Sequence, residues 1–546
     1  MHYLKLLLLS SLFLIASCKK EQVIVSEQFS LVQIQVNDKT GGTSFNNLSL
    51  SPIIKLKFSA PVDRSTLSTG IRFNSATSAV SYSVSYENND SSITIIPSNP
   101  LEYFSKHHIL LMNNLVSKNQ TGIDKEYNFT LITTMDTNDK FPRITDEELL
   151  TLIQKKTFAY FWDFGHTVSG MARERATSGD LVTTGGTGFG IMSILVGIER
   201  NFITRNQGLD RLLTIVDFLK TKASRYHGAF PHWINGVTGA TIPFSSKDNG
   251  ADLVETSYLM QGLLTARQYF NDPSNPDETL LRETINTLWN EVEWDWFRKN
   301  NENVLYWHWS PTDGWAMNMK VQGYNEALLV YILAASSSTH TIDRAVYENG
   351  WALNGGIRLN QSYFGITLPL GQNYGGPLFF AHYSFLGLDP RNLADQYANY
   401  YTQNVNHSLI NYSYCVANPK GFAGYSQNIW GLTASDIPGG YTASSPTNDR
   451  GVIAPTAAIS SLPYTPQESM QAIRYFYYKL GNKIWRQYGF VDAFSLSELW
   501  FADSYLAIDQ GPEICMIENY RSGMLWNLFM SAPEVQSGLT KLGFTY

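Results

Sequence analysis

Two short stretches of the chain carry carboxylic acids in places where chemistry, rather than solubility, would want them. SSKDNGADLVETSYLMQGLL puts Asp248 in a loop, Asp252 at the opening of a helix and Glu255 one turn later, so the last two share a face. VQGYNEALLVYILAA sets Glu326 just inside a helix that is otherwise apolar. Two carboxyl groups across a scissile bond are what glycoside hydrolysis requires, one protonated to assist the leaving oxygen and one ionised to activate water or attack. A helix N-terminus stabilises anions, which suits Asp252 and Asp248 to the base side and Glu255 to positioning water or substrate. Apolar surroundings raise a carboxyl pKa, which suits Glu326 to general acid work. The ordinary acidic bias of helix N-termini accounts for the first cluster equally well, so residue type and place leave both readings open.

Further groups stand at comparable places. The loop YWHWSPTDGWAMNM offers Trp307, Trp309 and Trp315 as flat faces for sugar rings, or as walls of a large core. Asp449, Asp509, Glu513 and Glu518 flank later helices, and Arg173, Glu174 and Arg175 lie in an early long loop. Each could bind sugar hydroxyls, and the arginines could instead serve as salt-bridge partners within the loop. His382, in GGPLFFAHYSFLGL, reads as a hydroxyl ligand or as a satisfied core histidine. No H-E-x-x-H, clustered Cys-His spacing, G-x-S-x-G or P-loop occurs, so metalloprotease, serine hydrolase and nucleotide chemistry lack support, and neither metal nor cofactor is expected. GGTGFG (185–190) lacks a nucleotide loop's spacing and reads as a close-approach loop opening a helix.

The elements that must hold these groups form a repeating phrase from Thr145 onward. Thr145 with Glu148, Thr204 with Gln207 and Thr465 with Glu468 read as capping boxes, while Asn275-Pro276 and Asp389-Pro390 read as N-caps followed by proline. The helices they start are amphipathic, as in Leu212, Ile215, Val216 and Leu219. Between them, roughly 188–202, 251–270, 321–336, 377–387, 452–462 and 511–530, lie segments apolar on most faces, as a helix buried on both sides requires. Short links follow these inner helices and long loops precede them, which puts the long loops at one end if direction alternates. The expected architecture is an (α/α)6 barrel, a double ring of six inner and six outer helices over 145–546.

Ahead of it, 29–135 alternates at strand spacing, as in Ile54, Leu56 and Phe58 against Lys55 and Lys57, and reads as a small β-sandwich. No carboxylate pair stands out there, and its expected role is that of a spacer. Residues 1–17 read as a lipoprotein signal peptide with 18–28 as a linker: Ile15-Ala16-Ser17-Cys18 resembles a lipobox, which implies lipidation of Cys18 and a place in the bacterial cell envelope. Only Cys415 and Cys515 then remain, too few for a disulfide framework. The net charge of -7 with scattered Lys and Arg argues against nucleic acid and acidic polymers, and a neutral glucan fits better. A monomer touching the membrane only through Cys18 is the expectation.

ADLVETSYLMQGLL, GYNEALLVYILA, GQNYGGPLFFAHYSFLGLDPR and EICMIENYRSGMLWNLF together resemble the glucoamylase-like domain of Bacteroidetes lipoproteins grouped as glycoside hydrolase family 144. IIKLKFSAPVDRSTL resembles bacterial Ig-like domains. The first resemblance implies an (α/α)6 barrel acting on β-1,2-glucan with inversion and without metal, endo in some members and sophorose-releasing in others. It implies functional acids at Asp248, Asp252, Glu255 and Glu326, and a later one placed at Asp509. A glucoamylase cutting α-linked glucan and a non-catalytic glycan-binding lipoprotein remain as rival readings.

Overall fold

Alternation in IKLKF buries Ile54, Leu56 and Phe58 on one face and leaves Lys55 and Lys57 in water, which is what a half-covered strand needs. The first unit holds nine strands among the described residues: β1 (Leu31–Val36), β2 (Lys39–Thr40), β3 (Ser44–Leu48), β4 (Ile54–Phe58), β5 (Ile71–Ser75), β6 (Tyr82–Glu87), β7 (Ser92–Pro97), β8 (Lys106–Leu111) and β9 (Tyr127–Thr133). They form a five-stranded sheet ordered β2-β1-β4-β7-β6 and a four-stranded sheet ordered β3-β9-β8-β5, with β3 and β9 parallel. Both sheets contribute to a single apolar core that includes Phe29, Leu56, Phe73, Ile93 and Leu131. The computed structural model describes residues 28–75 and 77–546. One unit ends at Asp136 and the second runs Thr137–Tyr546. Cys18 and the signal segment lie outside the described residues.

The second unit is helix-rich. Its amphipathic helices include α1 (Asp146–Trp162), α3 (Arg205–Thr221), α5 (Pro276–Asn290), α7 (Tyr400–Ala417) and α9 (Pro466–Ile484), and a last one at Pro533–Leu542. Interleaved with them are α2 (Thr184–Glu199), α4 (Leu253–Tyr269), α6 (Leu328–Ser336), α8 (Pro455–Ser460) and α10 (Ala507–Arg521). Every residue of α2 from Thr184 to Ile198 is buried, whereas α3 buries only the stripe of Leu209, Leu212, Ile215, Val216 and Leu219 with its neighbours. Among the buried helices α2 packs on α4, α4 on α6, α8 on α10, and α10 back on α2, while the two 3-10 turns of 378–386 stand between α6 and α8 in the chain. Among the described residues no helix is long and apolar enough to cross a membrane.

Thr145 and Thr204 form the reciprocal capping boxes their spacing indicates. Thr465 does not: its hydroxyl donates to Ser461 O, because the turn from α8 is so short that Thr465 still belongs to it. Asp389-Pro390 starts no helix either. The Asp389 carboxylate is held by Arg391, and α7 begins after Asn399, whose side chain accepts from Thr402 N. The expected inner helix at 377–387 is two 3-10 turns, Leu378–Ala381 and Ser384–Leu386. Its polar groups are engaged elsewhere, Gln261 of α4 bonding Tyr383 O and Gly387 N, and Ser384 bonding Glu326 O and Leu329 N. GGTGFG lies within α2 rather than in a loop before it.

The close approach read into those glycines is real. A Cβ on Gly188 would stand 2.1 Å from Tyr258 O, and one on Gly262 2.2 Å from Gly188 O, so α2 and α4 cross backbone to backbone. Replacing Gly188 by Ala should therefore cost about 1–3 kcal/mol through overpacking that no side-chain movement relieves. A thermal melt reads this directly, and an unchanged midpoint would mean the crossing can open.

Candidate active site

Five short strands frame the first acidic cluster. β10 (Leu181–Thr183), β11 (Trp233–Asn235) and β12 (Thr241–Ile242) make a three-stranded sheet, and β13 (Ala251–Asp252) pairs with β14 (His308–Trp309), Asp252 opposite His308. Asp252 is the N-cap of α4, its Oδ1 accepting from Val254 N (3.0 Å) and Glu255 N (2.9 Å). Its Oδ2 lies 3.0 Å from His232 Nδ1 and 3.7 Å from His308 Nε2. His308 Nε2 also lies 3.3 Å from Asp248 Oδ2, while Asp248 Oδ1 is buried without a partner. Glu255, one turn into α4, receives Gly185 N at 2.7 Å. Gly185 makes that contact possible, because a Cβ there would stand 2.5 Å from the same carboxylate oxygen.

Glu326 arrives from another direction. It precedes α6 rather than lying inside it, in a turn where Asn325 Oδ1 accepts from Ala327 N. Its carbonyl takes hydrogen bonds from the hydroxyls of Tyr258 (3.1 Å) and Ser384, which fixes the turn against α4. The side chain stays partly open to solvent, unlike Asp252, which is fully buried.

The electrostatics separate these groups. Burial pushes the Glu326 carboxyl up to about 7, with the charges of Asp252 and Glu255 adding to the effect. Burial and then Asp252 push Asp248 up to about 7 as well. Burial would raise Asp252, but the hydrogen bond from His232, the charges of His308 and His232 and the bond from Glu255 N together lower it. Burial would lower His232, but Glu255, the bond to Asp252 and the charges of Asp252 and Asp248 lift it to about 9. Burial keeps His308 below the usual histidine value. One ligand atom each from His232, Asp248 and Asp252 lie within 4.8 Å of one another, a spread a cation could draw together. A ligating imidazole must be neutral, so a cation held there would require His232 to give up the proton its carboxylate neighbours favour.

A second group of acids lies beyond Tyr383. Asp509, in the first turn of α10, and Asp492 are each 2% exposed, and burial raises both carboxyls above the ordinary range. Burial above all, with the charges of Asp509 and Glu326 among others, raises the Tyr383 phenol, whose buried hydroxyl has no hydrogen-bond partner.

Other sequence candidates have their polar atoms committed to the fold. Asp449 is buried and accepts from Tyr425 OH (2.8 Å), Gly451 N (2.9 Å) and Tyr414 OH (3.1 Å), which ties it to the fold. Arg173 donates to the carbonyls of Phe164, Gly165 and Gly179. Arg175 takes the salt-bridge role, pairing with Glu174 (2.9 Å) and Asp436 (3.3 Å). Glu513 turns to Thr157 of the outer helix α1 at 3.4 Å, and Glu518 to Arg200 at 2.7 Å. His382 is a core histidine beside Ser461 (3.1 Å), taken down to about 3 by burial. Trp309 and Trp315 pack on Trp296, at 5.4 and 4.8 Å between rings, while Trp307 lies over His308 at 5.7 Å beside the acids.

Sequence reading missed His232, Asp492, Asp436 and Phe244. Phe244 is half exposed and packs on His232 at 4.3 Å and Trp233 at 4.7 Å, an aromatic face next to the acids. His308 stood within the tryptophan loop already singled out, and the signal that could have found it is its place between two of those tryptophans. His232, Asp492 and Phe244 lie outside regular elements and Asp436 in a four-residue strand, with no local pattern to mark them.

Residues 318–533 match the Glycoamylase family, of glucoamylase type, and residues 31–131 match the bacterial Ig-like domain family. An exo-β-1,2-glucooligosaccharide sophorohydrolase (non-reducing end) of Parabacteroides distasonis is 45% identical over 421 residues, 73% of this chain. The chain spans 58% of the length of that relative. An endo-β-1,2-glucanase of Chitinophaga pinensis, solved with sophorotriose and glucose, is 53% identical with a TM-score of 0.72, over 74% of this chain and 99% of its own. A β-1,2-glucanase of Parabacteroides distasonis is 36% identical with a TM-score of 0.71, over 95% of this chain and 74% of its own.

Proposed function

The chain belongs to the glucoamylase-like glycoside hydrolases of family 144, and from that premise we propose that it hydrolyses β-1,2-linked glucan or its oligosaccharides with inversion. The observation that carries the reading is Glu326, a carboxyl held near neutral pKa at the edge of a buried acidic cluster. In this mechanism Glu326 donates its proton to the glycosidic oxygen as the C–O bond breaks, and a carboxylate opposite takes a proton from the attacking water. Asp252 is poorly suited to that second task, because both its oxygens are engaged by the α4 amides and His232. Asp248 keeps an uncommitted oxygen and is the better base of the first cluster. Asp252 and Glu255 then organise charge and orientation around it.

The sequential contacts of the buried helices support closure into an (α/α)6 barrel, with Phe244 and Trp307 as sugar faces at its mouth. A neutral substrate suits a cluster in which carboxyls outnumber the single cationic histidine. Incubation with linear β-1,2-glucan and with starch, followed by product sizing, tests the reading. Sophorose alone as first product means exo action and a ladder of longer products means endo action, while release from starch but not from β-1,2-glucan would overturn the proposal.

We also propose anchorage in the cell envelope through lipidated Cys18, on the lipobox-like run that ends there. The mature N-terminus is then expected at Cys18 with a diacylglycerol mass, and an unmodified N-terminus elsewhere refutes this.

A further inference from the structure

His232 is fixed by its backbone, by one ring nitrogen and by one ring face, and its other nitrogen is left open. Phe230 N donates to Thr256 Oγ1 (2.8 Å) and Phe230 O accepts from Asp252 N (2.9 Å), while His232 O accepts from Thr184 N of α2 (3.1 Å). The backbone is thus tied to both α4 and α2 around the ring. The ring is turned by Nδ1, which lies 3.0 Å from Asp252 Oδ2, and Asp252 is itself pinned through Oδ1 by two α4 amides. Phe244 lies over the imidazole at 4.3 Å between centroids, on a turn closed by its own N donating to Asp248 O (2.9 Å). Nε2 has no hydrogen-bond partner among the described residues, and the side chain is 23% exposed. When one imidazole nitrogen is held by a carboxylate, the direction and tautomer of the other are set with it.

We infer that His232 is a substrate-binding residue, its Nε2 hydrogen-bonding a hydroxyl oxygen of a sugar whose ring face packs on Phe244. The inference rests on the hydrolase reading above and deepens it. Asp248, Asp252 and Glu255 can only accept once ionised, and the proton of Glu326 is reserved for the glycosidic oxygen, whereas every sugar hydroxyl both donates and accepts. Acceptors alone would leave the lone pairs of a bound hydroxyl unmet, and a polar group taken out of water without a partner costs affinity. Nε2 supplies the missing donor. Against burial, the charge of Glu255 and the bond to Asp252 favour the ring with both nitrogens protonated. Its positive charge is answered by Asp252, so the pair as a whole suits a neutral hydroxyl. Phe244 is half exposed, which sets an apolar face beside a donor edge, and a pyranose presents the matching C–H face and hydroxyl rim. Trp233 backs both residues, at 5.8 Å from the His232 ring and 4.7 Å from that of Phe244.

His232→Asn keeps a donor near Nδ1 for Asp252 and loses Nε2, so it separates contact with sugar from support of Asp252. Calorimetric titration of a linear β-1,2-gluco-oligosaccharide into Glu326→Gln, and into Glu326→Gln carrying His232→Asn, reads the difference without turnover. Affinity should fall by about tenfold or more, the scale of one hydrogen bond with a charged partner, while the melting temperature stays that of the parent. Equal affinity in the two would overturn the inference and leave His232 as a support for Asp252 alone. If His232→Asn does not fold, or melts well below the parent, a crystal structure of Glu326→Gln with the oligosaccharide decides. A sugar oxygen within hydrogen-bond distance of Nε2 upholds the inference, and none there overturns it. If wild type cleaves no β-1,2-glucan and Glu326→Gln binds none, the hydrolase reading fails and this inference falls with it.

Discussion

Replacing Glu326 by Gln is expected to cut turnover on β-1,2-glucan by about 10²-fold or more, the scale of general acid catalysis, with the fold retained. The amide fills the same volume and leaves the backbone carbonyl free to keep its bonds from Tyr258 and Ser384. What is lost is a transferable proton. In wild type that proton is held up to about pH 7 by burial and by Asp252 and Glu255. The acid works when protonated, so activity should fall as pH rises through that value, and the Gln variant should lack this alkaline limb. A folded Glu326→Gln enzyme turning over at the wild-type rate would move the acid role to Glu255, Asp509 or Glu513.

The second large effect belongs to Asp252, and two substitutions separate its two tasks. Asparagine still accepts from Val254 N and Glu255 N, so Asp252→Asn should keep the α4 cap. It removes the negative charge that raises Glu326 and Asp248 and helps lift His232 to about 9. The alkaline limb of the pH profile should then shift to lower pH, because Glu326 releases its proton more easily. Asp252→Ala removes cap and charge together and leaves His232 with a broken buried pair, a loss of about 3–5 kcal/mol. Denaturant melts of the two variants measure the difference. Equal stabilities for Asn and Ala would show that the cap contributes nothing here.

Much of this was readable in the sequence where the cause is local. Capping at Thr145 and Thr204 depends on residues three apart, and the clustering of Asp252 with Glu255 depends on one helical turn. The pairing of Asp248 and Asp252 with His308 depends on a strand partner more than fifty residues away, and no spacing encodes that. Asp492 is buried only through tertiary packing, so its acid looked like any loop carboxylate. Arg173 and Asp449 show the opposite failure. Polar residues in long loops look like ligands, but a long loop has many backbone and hydroxyl groups to hold, and these side chains hold them. The segment 377–387 looked helical because it is apolar, and Gln261 and Ser384 divert the bonds a helix would have used.

The buried acids also decide what the cleft refuses. Asp248, Asp252, Glu255 and Glu326 face one positive imidazole, and Asp436, Asp492 and Asp509 face one guanidinium. A uronate or sulfated chain entering there would surrender its hydration shell without meeting a free cation, and like charges brought together in such a site repel strongly. A neutral glycan brings hydroxyl donors, which carboxylate oxygens accept. On this ground a uronate polymer is expected to bind more weakly than a neutral glucan, which a binding titration with each checks.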